Sequence, residues 1–589
     1  MPLWFRRLNR RRFLRGAAYL GAGATLAHLI GCRSSEERPL TTLDRTFVVG
    51  EDGALRLGPG EAHEVRTELA DAASGREDTR RSFAVFHHFS DLHITDEESP
   101  LRGEWQDSCP APLSTSAFRP QETLTMQAAA SLVRAANRVN RSPVTNRGVD
   151  FLLQTGNAAD NAQFNELRSF IDLMDGLIVD PGSGSPEYEG VQTESPDARY
   201  PDLLSQAQTR FMSTGSRYPW YVALGNRDVL VQGSFAASEA SRQIAAGDSK
   251  IIDLAPDRKD EICEDPSVLL QPEASEEIFG DEETDVRTVT ADANRHLLSR
   301  DEWMEQLFRS NTSPGPRGHG LAQTNLDSGV AYYVLEHGPL AFIVLDTVNP
   351  EGFPAGGIDA GQFEWLEGVL QARSSRYFDE SGTAVEKDVE DRLVVVVSHH
   401  TLDSLNNPLP DPDGEPLVLG EELKALLQRY PNVIAHVTGH SRSHRIKAHP
   451  DPERRGGGYW EINTAAVVDY PMQGRMLEVV DNGDGTISLL STMFETAAPL
   501  DPRNAEDETP LDGVNEEELA SVARSVAAGD PQRDPEAAGL VAANRNAELL
   551  LAAPFDLSGV ESPPRHSPNA GAGASRRDLL RLLAPGLSG

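Results

Sequence analysis

Cysteine is scarce in this chain, with three residues in 589: Cys32, Cys109 and Cys263. That is too few for a disulfide framework. Cys109 and Cys263, far apart in sequence, support a pairing only weakly even in an oxidising compartment. Basic residues are also short, 54 Lys and Arg against 91 Asp and Glu, leaving a net charge of −37 and a pI near 4.8. No basic stripe exists to release counterions, so a nucleic-acid polyanion is excluded as a partner. The plain reading of the charge is solubility and repulsion from other anionic surfaces. Long apolar runs are missing too. The nearest approach, Gly16 to Ile30, consists of small, weakly apolar residues and is too short to span a bilayer comfortably. No internal repeat is evident. What remains is a chain with 39% hydrophobic residues, enough for a core, and long enough for one large domain with appendages or about three average ones.

The N-terminus reads as an export signal. MPLWFRRLNRRRFLRG is basic, and Asn9 to Arg15, NRRRFLR, resembles the twin-arginine signal of bacteria that export folded proteins. Leu29, Ile30, Gly31 and Cys32 resemble a lipobox, which makes Cys32 the expected lipidated residue and lipid the expected membrane contact. A plain cleaved signal or an uncleaved anchor are the alternatives. The expected destination is the periplasm or cell envelope. Residues 33–80 read as a polar spacer with an edge element at Thr46 to Val49, 81–498 as the main domain with an acidic insertion at about 234–329, and 499–589 as an acidic, partly helical tail.

The most informative stretch is VFHHFSDLHITDEESP, Val85 to Pro100. The run Phe83 to Phe89 is short and rich in aromatic and β-branched residues, so it reads as a buried strand, and Asp91 and His93 fall where that strand must end. A carboxylate and an imidazole at D-x-H spacing suit a divalent cation that takes mixed oxygen and nitrogen ligands. Similar loops follow other β-like runs. Val149 to Gln154 leads into TGNAADNAQFNEL, Trp220 to Leu224 into GNRDVLVQG, Leu393 to Val397 into Ser398, His399 and His400, and Val433 to Thr438 into GHSRSHRI. Helical spacing marks Gln121 to Asn140, GIDAGQFEWLEGVLQA with Phe363, Leu366 and Leu370 buried, and Glu421 to Tyr430. Strands run from Tyr459 to Met493, with NGDG at Asn482 to Gly485 as a hairpin turn. Past Pro499 two amphipathic helices are expected, Asn515 to Ala528 and Pro535 to Ala553. Strand, loop, helix, strand in this order indicates an α/β domain with functional loops at strand ends.

The order of loops resembles the calcineurin-like metallophosphoesterases, whose pattern runs D-x-H, G-D-x-x-D, G-N-H-D, an isolated His, then G-H-x-H. SDLHITDEESPLRGEW, DNAQFNEL, GNRDVLVQG, the LDT at Leu345 to Thr347 with GIDAGQFEWL, and GGGYWEINTAAVVDYP look like one secreted bacterial subfamily, spanning roughly Ser82 to Ala498. The resemblance implies an α/β sandwich of two mixed sheets packed face to face and flanked by helices. It also implies one or two divalent ions, Mn, Fe or Zn, that activate water against a phosphate-ester substrate. Carried over by position, Asp91, His93 and Asn157 are the ligands of a first ion. Asn226, His399 and His440 are those of a second, which Asn157 would share. His400 stands behind them as a catalytic contact.

Three positions depart from the family pattern. Asn157 stands where the bridging carboxylate is usual, Arg227 where a histidine follows Asn226, and Arg442 where G-H-x-H has its second histidine. A neutral amide bridges poorly, and a guanidinium cannot ligate a cation. Arg442 is therefore expected where the first ion would sit, paired with Asp91, and His444 is the minor candidate for a replacement ligand. Arg227 and Arg442 are expected to contact substrate phosphate. Two readings follow: an exported metal-dependent phosphoesterase, or a catalytically silent relative that binds a phosphate-containing ligand. Fold cannot choose between them.

Overall fold

The computed structural model describes residues 41–50, 53–110, 117–192, 200–264, 284–310, 313–453, 457–500, 515–530 and 541–563. The stretch read as an export signal, and Cys32 with it, lies outside the described residues. Two sheets carry the architecture. In chain order their strands are β1 (Glu64–Arg66), β2 (Arg81–Phe89), β3 (Phe151–Gln154), β4 (Trp220–Val222), β5 (Tyr333–His337), β6 (Leu340–Val344), β7 (Leu393–Val397), β8 (Val433–Thr438), β9 (Arg445–Pro450), β10 (Gly458–Asn463), β11 (Gly474–Asp481), β12 (Thr486–Phe494) and β13 (Ala547–Ala552). One sheet has seven strands in the order β1-β13-β12-β11-β2-β3-β4, and the other has six in the order β5-β6-β7-β8-β10-β9.

Both sheets are mixed, and each has a parallel run: β2-β3-β4 at one side of the first and β6-β7-β8-β10 at the centre of the other. Parallel strands are covered on both faces, which is why LAFIV in β6 and LVVVV in β7 are apolar throughout and wholly buried. Along β7 the faces alternate. Val395 and Val397 join the main core between the sheets. Val394 and Val396 face a second core with Leu366, Leu370, Leu423 and Leu426.

Helices flank the sheets, among them α1 (Thr125–Arg138), α2 (Phe164–Asp175), α3 (Arg300–Phe308), α4 (Ala360–Gln371), α5 (Gly420–Gln428) and α6 (Glu516–Ala528). Helix α4 starts where Asp359 accepts from the Gln362 N–H at 2.8 Å, and α6 where Asn515 accepts from the Glu517 and Glu518 N–H groups. Leu366 and Leu370 of α4 are buried as the spacing predicts, while Phe363 is half-buried. Helix α6 lies on α1, with Leu519, Val522 and Val526 packed near Leu124 and Ala128 and Arg134 paired with Glu516 at 2.7 Å.

One local expectation is corrected, and one strand is added. The segment AELLLA, read as part of a helix, is strand β13, paired antiparallel with β12 from Ala547↔Ser491 to Ala552↔Thr486. Its run of leucines fits a buried strand as well as a helix, and the open edge of β12 selects the strand. Strand β9, unmarked by any apolar run, is an edge strand on β10. The Asn482 to Gly485 turn joins β11 to β12 as expected, with Gly483 and Gly485 at positive φ. The insertion holds a ribbon of Ser249–Asp253 with Asp285–Thr288. A disulfide between Cys109 and Cys263, with Cα atoms 5.3 Å apart, ties this insertion to the segment after β2. Among the described residues no helix is long and apolar enough to cross a membrane.

The two sheets meet through Phe86, Phe151 and Phe342. Phe86 stacks on Phe151 at 5.1 Å, and Phe342 meets both edge-on at 5.3 and 5.2 Å. Phe86 comes from the strand that leads into the site. Phe86→Ala is expected to lower stability by about 3–5 kcal/mol. An unchanged denaturant midpoint would show that these rings do not hold the layers together.

Candidate metal centre

The parallel strands of both sheets point their C-terminal ends the same way, so the loops after β2, β3, β4, β7 and β8 converge. Backbone bonds lace them together. Asp91 N–H donates to Gly156 O, His93 N–H to Asn157 O, Ala162 N–H to Arg227 O and Gly439 N–H to His399 O, all at 2.7–3.0 Å. The approach is close enough to require glycine at 156. Its φ is +92°, and an added Cβ would stand 2.7 Å from Gly225 Cα and 2.9 Å from His399 Nδ1.

Backbone strain concentrates here. Of eleven non-glycine residues at positive φ among the described residues, five are Asp91, His93, Asn157, His440 and Arg442. Each costs roughly 1–3 kcal/mol, and such residues gather where side chains must be aimed. Every position singled out from the sequence for the site, apart from Cys32, lies in this loop cluster.

His399, His440 and Asn226 converge on one another. His399 Nδ1 donates to the Thr155 carbonyl at 2.8 Å, since a carbonyl only accepts. Burial holds the ring's pKa below its ordinary value against the charge of Asp91, so the ring is neutral and Nε2 presents a lone pair. Asn226 Nδ2 donates to Gly233 O at 2.7 Å, which turns Oδ1 toward His399. The two acceptor atoms face each other at 2.9 Å, and His440 Nδ1 lies 3.2 Å from the same His399 nitrogen. Burial, the neighbouring histidines and Arg227 push His440 down to about 3, against the opposing charge of Asp91. One proton can satisfy the histidine pair, but none is available between Asn226 Oδ1 and His399 Nε2. This donor set fits a divalent cation.

His400 completes a cluster in which ligand atoms of His399, His400 and His440 lie within 4.8 Å. Both its ring nitrogens have protein partners, Nε2 donating to Pro354 O at 3.1 Å and Nδ1 accepting from Thr347 Oγ1 at 2.8 Å. It therefore orients rather than ligates, with its ring 4.4 Å from that of His440.

The Asp91 side of the site is arranged differently. Asn157 Oδ1 accepts from the Arg227 N–H at 2.8 Å, which fixes the amide and turns Nδ2 onto Asp91 Oδ1 at 2.9 Å. His93 Nε2 lies 3.3 Å from the same oxygen. Asp91 Oδ2 accepts from Ser90 Oγ at 2.5 Å and from the His440 N–H at 2.8 Å. Burial alone would raise this carboxyl, but His93, His399 and Ser90 hold it well below the usual carboxylate range. Both its oxygens are thus already hydrogen-bonded by the protein, Oδ1 to the Asn157 amide and Oδ2 to Ser90 and His440. The donors assigned to a first ion therefore do not fit one.

Behind them lies a buried ion network that sequence reasoning did not assemble. Asp160 accepts from His93 Nδ1 at 2.6 Å, from Arg227 Nη1 at 3.0 Å and from Arg102, and Arg119 stands 3.6 Å away. Arg102 also donates to Glu122 at 2.5 Å. The Arg442 guanidinium is bidentate on Asp469, at 2.6 and 2.8 Å, rather than paired with Asp91 as expected. Asp469 lies within GGGYWEINTAAVVDYP, in the loop after β10, and that loop is what draws Arg442 aside. His444 faces away from the site, its Nδ1 accepting from the Ala465 N–H and from Arg475. Asp160 and Asp469 fall in the quoted DNAQFNEL and GGGYWEINTAAVVDYP, and the density of arginine and acid in SPLRGEW and FRPQET was the further local signal.

Asp469 supplies a pH signature. Burial raises its carboxyl, yet Arg442 and Arg119 outweigh that and bring it from 3.8 down to about 2. A folded pKa below the unfolded one means that the unfolded chain takes up the proton first as pH falls. The stabilisation is thus complete above pH 3.8 and lost as pH drops toward about 2. Asp469→Asn should flatten stability against pH over that window in denaturant titrations. An unchanged slope would count against this pairing.

No family model matches the chain, and no curated protein matches it. Solved structures similar to it include a dimetal phosphatase from Danio rerio, 11% identical, with 71% of this chain and 100% of that one covered at a TM-score of 0.30. Another is purple acid phosphatase PPD1 from yellow lupin seeds, 9% identical, with 79% of this chain and 57% of that one covered at a TM-score of 0.26.

Proposed function

We propose that the chain is an exported phosphoesterase that depends on a divalent cation. The observation that carries this reading is the pair of acceptors, Asn226 Oδ1 and His399 Nε2, facing each other at 2.9 Å beside His440 Nδ1. A cation held by these three supplies Lewis-acid charge to a phosphoryl oxygen and makes water a nucleophile near neutral pH. The protein's own groups then have defined tasks. The Thr155 carbonyl fixes the His399 tautomer. His400, anchored by Thr347 and Pro354, limits the swing of His440. Asp91 holds the His440 backbone through its N–H. The guanidinium of Arg442, half-buried and braced on Asp469, borders the same loops and offers fixed positive charge to a substrate phosphate.

Export is supported by NRRRFLR near the N-terminus and by the disulfide between Cys109 and Cys263, a bond that persists in oxidising compartments. The lipobox at Leu29 to Cys32 supports anchoring by lipid.

The test is turnover of p-nitrophenyl phosphate and its bis ester by the full chain, after chelation and reloading with Mn²⁺ or Zn²⁺. Activity should appear with metal, and His399→Ala should lower it by roughly 10²-fold or more, the worth of several kcal/mol of charge stabilisation. Folded, metal-loaded protein that turns over neither ester would leave the silent, phosphate-binding relative as the better description.

A further inference from the structure

Building on that metal-dependent reading, we infer that the chain holds one cation per molecule. The place beside Asp91 that a companion ion would need is filled by the protein's own fixed charges. An ion there would have to draw on Asp91, His93 and Asn157. Asp91 has three donors on its two oxygens, Ser90 Oγ, the Asn157 amide and the His440 N–H, at 2.5 to 2.9 Å, and His93 Nε2 stands 3.3 Å from Oδ1. Freeing Oδ1 means turning the Asn157 amide, and that would take from the Arg227 N–H its 2.8 Å acceptor. Freeing Oδ2 means releasing the His440 N–H, and with it the position of a ligand of the retained ion. His93 is held from the other side by Asp160 at 2.6 Å.

The electrostatics point the same way. Asp160 already receives Arg102, Arg227 and His93, with Arg119 at 3.6 Å, and Asp469 is shared by Arg442 and Arg119. A dication placed among these guanidinium groups meets repulsion, in a site where every one of these groups is at least half-buried and screening is weak. The carboxylate that usually draws the second ion is Asn157, and its amide nitrogen faces Asp91 as a donor. Asp91 has thereby become a structural acceptor that ties three loops, and His93 a strut between Asp91 and Asp160.

The test is metal content, by elemental analysis of full-length protein stripped with chelator, equilibrated with Mn²⁺ or Zn²⁺ and freed of excess. The wild type and His93→Ala should both hold about one ion per chain, and a His399→Ala, His440→Ala double variant close to none. Circular dichroism confirms that each variant is folded. About two ions in the wild type, falling to about one in His93→Ala, would overturn the inference while leaving the metal-dependent function standing. No ion in folded wild type would overturn both. A triple variant guards against a His93 substitution that does not fold. Asn157→Asp with Arg227→His and Arg442→His returns the carboxylate and removes two guanidinium groups, and should raise the content to about two ions. If the folded triple variant stays at one ion, Asn157 and these arginines are not what excludes the second.

Discussion

Asp91 receives donors from the loops of both sheets, and the arrangement of the whole site follows from that. Its Oδ1 takes the Asn157 amide from the loop after β3, and its Oδ2 takes the backbone N–H of His440 from the loop after β8. The carboxylate is buried and charged, so an empty bonding position on it would be costly. The protein supplies a donor to each oxygen. Meeting these donors requires left-handed backbone at Asp91, Asn157 and His440, conformations that persist only where surrounding bonds over-determine them. Strain and hydrogen bonding are thus two sides of one constraint: the carboxylate fixes the loops, and the loops fix the carboxylate.

That constraint divides the site into unlike halves. Around His399 the lone pairs of three residues point at one another, and the protein supplies no proton for the closest pair. Around Asp91 donors and acceptors are matched almost one to one. Asp160 extends the matched half outward through Arg102 and Arg227, groups that would each be expensive to bury alone. Burial lowers Arg227 to about 10 even with Asp160 beside it, Arg119, Arg102 and Arg442 adding to the decrease. The network is therefore tightly interdependent, and its members are better understood as a unit than as a set of pairs.

Much of the fold was legible in the sequence. LVVVV had to be a central strand, because no surface position tolerates five consecutive β-branched or leucine side chains. The loops after Phe89, Gln154 and Val397 announced themselves by placing ligand-type residues directly after apolar runs. Local pattern failed where a distant partner decided the outcome. AELLLA has no period that separates strand from helix, and only the free edge of β12 settles it. Arg442 was read as the partner of Asp91 because both lie in the matched motifs. Asp469, which captures it, also lies in a matched stretch, GGGYWEINTAAVVDYP, but nothing in that sequence ties it to Arg442. The orientation of the Asn157 amide likewise depends on a backbone N–H contributed by Arg227, 70 positions away.

The placement of β13 governs how the protein must come together. It lies between β12 and β1, and its Ala547 is in register with Glu64 of the first strand. The seven-stranded sheet therefore keeps an unfilled slot until β13 has been made. Contacts of such sequence separation form late and leave a strand edge exposed to other chains in the meantime. Pairing of the first strand with this sheet therefore waits on a segment nearly five hundred residues further along the chain.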